Sequence, residues 1–75
     1  MRRAGRTVGI AQNLAVVRCE DDRPPEIGTA VVDERLSRVG RVVDVFGPVE
    51  RPYLAVVPDD EIDPATTLGA TLYIR

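Results

Sequence analysis

The one thiol, Cys19, lies between Arg18 and Glu20 at the end of an apolar run. A thiol becomes a strong nucleophile when a base takes its proton, and the chain contains no histidine. Cys19 is therefore expected to behave as a small, half-buried apolar residue. A single cysteine forms no internal disulfide and no zinc cluster. The lack of histidine also removes the commonest metal ligand and general base. Asp59, Asp60, Glu61 and Asp63 crowd carboxylates together, but the stretch lacks the glycine and spaced ligands of a calcium loop. A solvated charge run explains it. Asp33 and Glu34 could act as acid and base only with a second group beside them; Asp33 reads instead as a turn former. No glycine-rich phosphate loop occurs. These residues predict a protein with no catalytic residue, no metal and no cofactor.

The arginines and aromatics could do binding chemistry. All ten positive charges are arginines, against twelve carboxylates, for a net charge of −2. Arg2, Arg3 and Arg6 sit in the first six residues; such an arm could touch RNA in an assembly, but a flexible, solvated terminus is the preferred reading. Without them the body carries seven arginines against twelve acids, a balance of −5. An acidic body argues against a protein whose main task is gripping phosphates. Arg35, Arg38 and Arg41 stand among acidic residues. The three aromatics, Phe46, Tyr53 and Tyr73, are too few for a surface that stacks single-stranded bases in a basic groove.

One stretch combines apolar side chains with a stiff backbone: Phe46-Gly47-Pro48-Val49, then Glu50-Arg51, then Pro52-Tyr53. Gly47 permits backbone shapes that other residues resist. Pro48 fixes φ and offers no N–H donor, which blunts pairing to another strand. A rigid, partly apolar loop loses little entropy on binding, and tyrosine is a common interface anchor. Phe46, Gly47, Pro48, Val49, Pro52 and Tyr53 are the candidate protein-binding residues. The competing reading has Phe46 and Tyr53 filling the core and Pro48 shaping a turn; core filling is preferred for Phe46, and interface for Pro48 and Val49. At Gly40, close backbone packing is expected rather than contact with a partner.

The elements that must position this loop are short. Six glycines and six prolines punctuate valine-rich runs, the pattern of an all-β domain with many turns. Strands are expected at Thr7–Gln12, Leu14–Arg18, Ala30–Val32, Tyr53–Val57 and Ala70–Ile74, the first two joined by a tight turn at Gln12-Asn13. Asp33 to Pro48 is ambiguous. Val32, Leu36, Val39, Val43 and Phe46 fall at helical spacings of 4, 3, 4 and 3, with Asp33 as a cap and Gly47-Pro48 as a stop. Against a helix, Val39, Val42, Val43 and Val45 crowd β-branched side chains, and Gly40 would cost a helix interior ~1 kcal/mol. The doublets Val42-Val43 and Val45-Phe46 fit a strand with a bulge or one covered on both faces. The expected core is Val8, Ile10, Leu14, Val16, Val32, Val42, Val56, Leu72 and Ile74. With 75 residues the core is thin, and closing the strands into a small barrel is the economical way to remove exposed edges. No apolar run approaches the ~18 residues of a membrane span, and no signal-peptide pattern follows Met1. The chain reads as cytoplasmic.

The stretch Gly28-Thr29-Ala30-Val31-Val32-Asp33, with Val39-Gly40-Arg41-Val42-Val43-Asp44-Val45-Phe46-Gly47-Pro48-Val49 and then Pro52-Tyr53, resembles the core of the Gar protein family of H/ACA ribonucleoproteins, the RNA-guided pseudouridine synthases. The archaeal form is the best match. The resemblance runs from about Val8 to Ile74 and is sharpest from Val39 to Tyr53. It implies a closed six-stranded β-barrel of the type in the second domain of translation elongation factors, with Val39–Phe46 a strand. The expected domains are an arm at residues 1–6 and one barrel at residues 7–75. The implied partner is the catalytic pseudouridine synthase subunit, with guide RNA reached only indirectly through the particle. The implied role is non-catalytic: helping substrate loading and turnover in rRNA pseudouridylation, without a small-molecule substrate or a membrane. The Gly-Arg-rich tails of eukaryotic relatives do not appear here. An RNA-binding barrel in ribosome assembly or translation is the alternative.

Overall fold

The structure, a computed structural model, describes residues 2–74. Six strands, β1 (Arg2–Ala11), β2 (Leu14–Arg18), β3 (Ala30–Val32), β4 (Arg38–Phe46), β5 (Tyr53–Pro58) and β6 (Thr71–Ile74), close into a barrel in the order β1-β2-β5-β4-β3-β6. Every pairing is antiparallel. The one helical element among the described residues is a 3-10 turn at Pro64–Thr67, capped by the Asp63 carboxylate, which accepts from the Ala65 N–H at 3.0 Å. Closure leaves no unpaired sheet edge among the described residues. Among them, too, no helix is long and apolar enough to cross a membrane.

The ambiguous segment resolves as turn plus strand. One Asp33 carboxylate oxygen accepts from the Arg35 and Ser37 N–H groups at 2.8 and 3.0 Å, and Leu36 takes a left-handed φ of 66°. This Asx-type turn ends any helix before it begins. β4 follows, with its register against β5 shifting between Val42 and Asp44. That bulge at Val43 is what the valine doublet foreshadowed. Gln12 and Asn13 both carry positive φ, 53° and 64°, as a two-residue hairpin turn of the primed type requires.

Two expectations are corrected. Residues Arg2 to Arg6, expected as an arm, are the first half of β1; Arg2, Arg3, Gly5 and Arg6 pair with Ile74, Tyr73, Leu72 and Thr71 of β6. Met1 and Arg75 lie outside the described residues. Closing a barrel recruits the chain's first residues as a pairing partner for its last strand, and local composition cannot register that. The expected core is also wrong on β1 and β2. A bulge between Thr7 and Gly9 turns Val8 outward, 52% exposed, and Ile10 is 39% exposed. On β2 the inward set is Ala15 and Val17, not Leu14 and Val16, which are half-buried. Both faces of β2 are apolar, so alternation does not choose between them. Val32, Val42, Val56 and Leu72 are buried as expected, Ile74 packs against the core, and Ala4, Val31, Val39, Cys19, Leu54 and Ala55 are buried with them.

Gly40 lets two strands approach. A Cβ there would sit 2.0 Å from the Val57 carbonyl oxygen and 2.9 Å from the Pro58 Cα. Close backbone packing is thus the role of this glycine, as expected.

Candidate functional site

β4 and β5 end together at a corner of the barrel. Phe46 closes β4, Tyr53 opens β5, and the two are register partners. Their rings stack at 5.6 Å between centroids and 20° between planes. Gly47 then turns with φ 87°, and a Cβ on it would lie 2.8 Å from the Tyr53 ring. Both the conformation and the space demand glycine. The Pro48 carbonyl accepts from the Arg51 N–H at 3.3 Å, which tightens the loop. The loop is anchored to the end of β2: the Cys19 N–H donates to the Pro52 carbonyl, and Arg51 Nε donates to the Cys19 carbonyl, each at 2.9 Å.

This anchoring leaves an apolar surface in the open. Val49 is 83% exposed and Phe46 is 44% exposed. Phe46, Pro48 and Val49, with Pro24, border a shallow groove of about 240 Å³. The structure therefore separates the six expected binding residues. Phe46, Gly47, Pro48 and Val49 are exposed, Pro52 is buried, and Tyr53 is half-buried. Phe46 does not fill the core. The Tyr53 hydroxyl accepts from Arg18 Nη1 at 2.9 Å, and the Arg18 guanidinium lies 4.9 Å from the ring centroid, so the phenol props the corner from within.

A second feature escaped the sequence reading. Arg3, Arg6, Arg18 and Arg51 line a concavity of about 490 Å³ beside the corner. Arg6 stands opposite Arg18 across β1 and β2, Arg18 opposite Tyr53, and Tyr53 opposite Phe46. Two of the three aromatics thus fall in line with two arginines, which the count of aromatics alone did not show. The signal was present only in strand order: four residues from four strands meet in one row.

Elsewhere the charges are ordinary. Arg38 pairs with Asp59 at 3.2 Å and Arg35 with Asp33 at 3.9 Å, on the surface, where such pairs contribute little. Burial pushes the Cys19 thiol above its ordinary pKa, with the Asp21 charge adding and Arg2 opposing. Among the described residues no group of three or more histidine, cysteine or acidic side chains is placed to hold a metal ion.

The comparisons with known proteins agree with this architecture. The family model described as the Gar1/Naf1 RNA binding region matches residues 1–75. The chain belongs to the Gar1/Naf1 family. That membership ties it in general to H/ACA ribonucleoproteins. It is similar to an uncharacterized protein of Methanothermobacter thermautotrophicus, 32% identical over 65 residues that cover 83% of this chain and 71% of that one. It is also similar to an uncharacterized protein of Methanocaldococcus jannaschii, 36% identical over 53 residues covering 71% of this chain and 60% of the other. Both relatives are archaeal, in keeping with the resemblance to the archaeal form. Among solved structures, the Gar1 domain of Naf1 superposes with a TM-score of 0.74 over 99% of this chain and 85% of that one. Their sequence identity is 15%, so this likeness establishes the six-stranded barrel as the Gar1-type fold.

Proposed function

We propose that this Gar1/Naf1-family barrel is a non-catalytic accessory subunit of an H/ACA pseudouridylation particle in the cytoplasm. It docks on the catalytic pseudouridine synthase subunit through Phe46, Pro48 and Val49, and aids substrate loading and turnover in rRNA pseudouridylation. The observation that carries this is an apolar side chain, Val49, left 83% exposed at the tip of a loop tied to the end of β2 through Arg51 and Pro52. Isolated surface valines are common. A valine beside an exposed phenylalanine and two prolines, on a backbone held by a left-handed glycine and two hydrogen bonds, is a preorganised contact. The barrel itself performs no reaction in this role. It supplies a rigid surface, and the nucleophile and base belong to the synthase.

Calorimetric titration of the barrel into the cognate synthase subunit tests the proposal. Saturable binding at micromolar concentrations is expected. Absence of heat and of co-elution at those concentrations would overturn it.

A further inference from the structure

Like charges directly opposite each other on adjacent strands destabilise a sheet, yet Arg6 and Arg18 are register partners. Arg3 and Arg51 add two more guanidinium groups to the same concavity. Its one carboxylate, Glu20, pairs with Arg3 at 3.1 Å. Among the described residues Arg6, Arg18 and Arg51 have no acidic partner. A chain with net charge −2 thus concentrates three uncompensated positive charges in one cleft.

The guanidinium groups are held in place by bonds that leave donors free. Arg6 Nε donates to the Gly69 carbonyl at 3.1 Å and Arg51 Nε to the Cys19 carbonyl at 2.9 Å. Arg18 is fixed through Nη1 on the Tyr53 hydroxyl, and its buried Nε has no hydrogen-bond partner among the described residues. The two Nη groups of Arg6 and of Arg51 have no acceptor among the described residues. Anchored forks with free terminal donors match the paired oxygens of a phosphate. A local rule broken without internal compensation marks a functional site.

We infer that this arginine cleft binds successive phosphates of a single-stranded RNA segment. Carboxylates share the bidentate chemistry, but two observations favour RNA. The row of cations runs directly into the Tyr53–Phe46 stack, and cations beside an exposed aromatic face are how single strands are held without sequence preference. The cleft also offers an acidic peptide little apolar anchorage, Val8 being its one large apolar side chain. The RNA path shares Phe46 with the proposed docking surface, but the arginines of the cleft and the apolar tip at Pro48 and Val49 are different residues, so separate variants test the two readings.

The test is fluorescence anisotropy of a labelled uridine oligomer of about eight nucleotides, titrated with the full chain at several salt concentrations. Binding is expected to weaken steeply with salt. The double variant Arg6→Gln with Arg51→Gln should bind at least about tenfold more weakly. Its slope of log K against log salt should be shallower by about 1.4, roughly 0.7 for each phosphate no longer neutralised. Thermal unfolding verifies that this variant folds, and Arg6→Lys with Arg51→Lys, which keeps the charge, should retain most of the salt slope. The Pro48→Ala, Val49→Asp variant should bind the oligomer like the wild type. The inference is overturned if the wild type does not bind the oligomer, or if the glutamine variant binds it equally well. It is also overturned if a hexaglutamate peptide or inorganic phosphate at matched charge competes as well as RNA, or if the Val49 variant loses RNA while the arginine variant keeps it.

Discussion

Gly40 offers the sharpest check on the barrel's geometry. It lies in the first half of β4, opposite Val31 on one side and Pro58 on the other. A methyl group there would stand 2.0 Å from the Val57 carbonyl oxygen and 2.9 Å from backbone atoms of β5. These neighbours belong to a paired strand rather than to a flexible side-chain tip, so β4 and β5 must part for alanine to fit. Overpacking in a tight interior costs about 1–3 kcal/mol, and an immovable backbone neighbour puts Gly40→Ala at the upper end, about 3 kcal/mol. A domain of this size has a total stability of roughly 4–11 kcal/mol, so the loss is a large share. It corresponds to a fall in melting temperature of about 12–24 °C. Gly9→Ala is the matched control: it also lies in a strand, has no positive φ, and a Cβ there meets nothing within 4 Å. That change should be neutral or stabilising by up to ~1 kcal/mol, because it removes backbone freedom from the unfolded chain. Thermal and urea unfolding followed by circular dichroism measure both. If Gly40→Ala melts within about 4 °C of the wild type, less than ~1 kcal/mol, the close approach of β4 and β5 is refuted.

Three other substitutions and modifications probe different parts of the structure. The Thr7 hydroxyl is buried without a hydrogen-bond partner among the described residues, so Thr7→Val should raise stability by about 1 kcal/mol, read as a higher urea midpoint at unchanged m-value; a lower midpoint means the hydroxyl is satisfied. Cys19 is buried with a raised pKa, so at pH 8 it should react with a thiol reagent on the order of tenfold slower than in the urea-unfolded chain. Because the unfolded chain sheds that proton first, the thiol's contribution to stability is lost as pH rises above the unfolded value; equal reaction rates would contradict the burial. Pro48→Ala with Val49→Asp should weaken synthase binding at least about tenfold, ~1.4 kcal/mol, and move stability by no more than ~0.5 kcal/mol; a large loss of stability would make the loop a structural element.

How much of this was legible in the sequence depended on how local each cause is. The Gln12-Asn13 turn, the Asp33 turn, the bulged β4 and the tight approach at Gly40 each follow from a few neighbouring residues, and each was readable. The helical spacing of Val32, Leu36 and Val39 was an accident of a turn between two strands, since Leu36 sits in that turn, 49% exposed with φ 66°. The faces of β1 and β2 were not readable, because a bulge at Val8 breaks the alternation and β2 is apolar on both sides. The first residues looked like a tail because arginines dominate them, and only the pairing of Arg2 and Arg3 with Ile74 and Tyr73 makes them strand. The apolar corner was visible as a run of types, yet which of its residues face outward depended on Pro52 turning inward and Tyr53 bonding Arg18. The arginine cleft needed strand order, which no short window contains.

Nitrogen-resolved magnetic resonance of labelled barrel, recorded alone and with unlabelled synthase subunit, bears most directly on the docking surface. The amides of Phe46, Gly47, Val49 and Glu50 should show the largest loss of intensity or shift. Those of the hairpin turn at Gln12 and Asn13 should stay near their free positions, beyond the general broadening of a larger particle. Perturbation concentrated elsewhere on the barrel, with Val49 unmoved, would contradict docking through the corner.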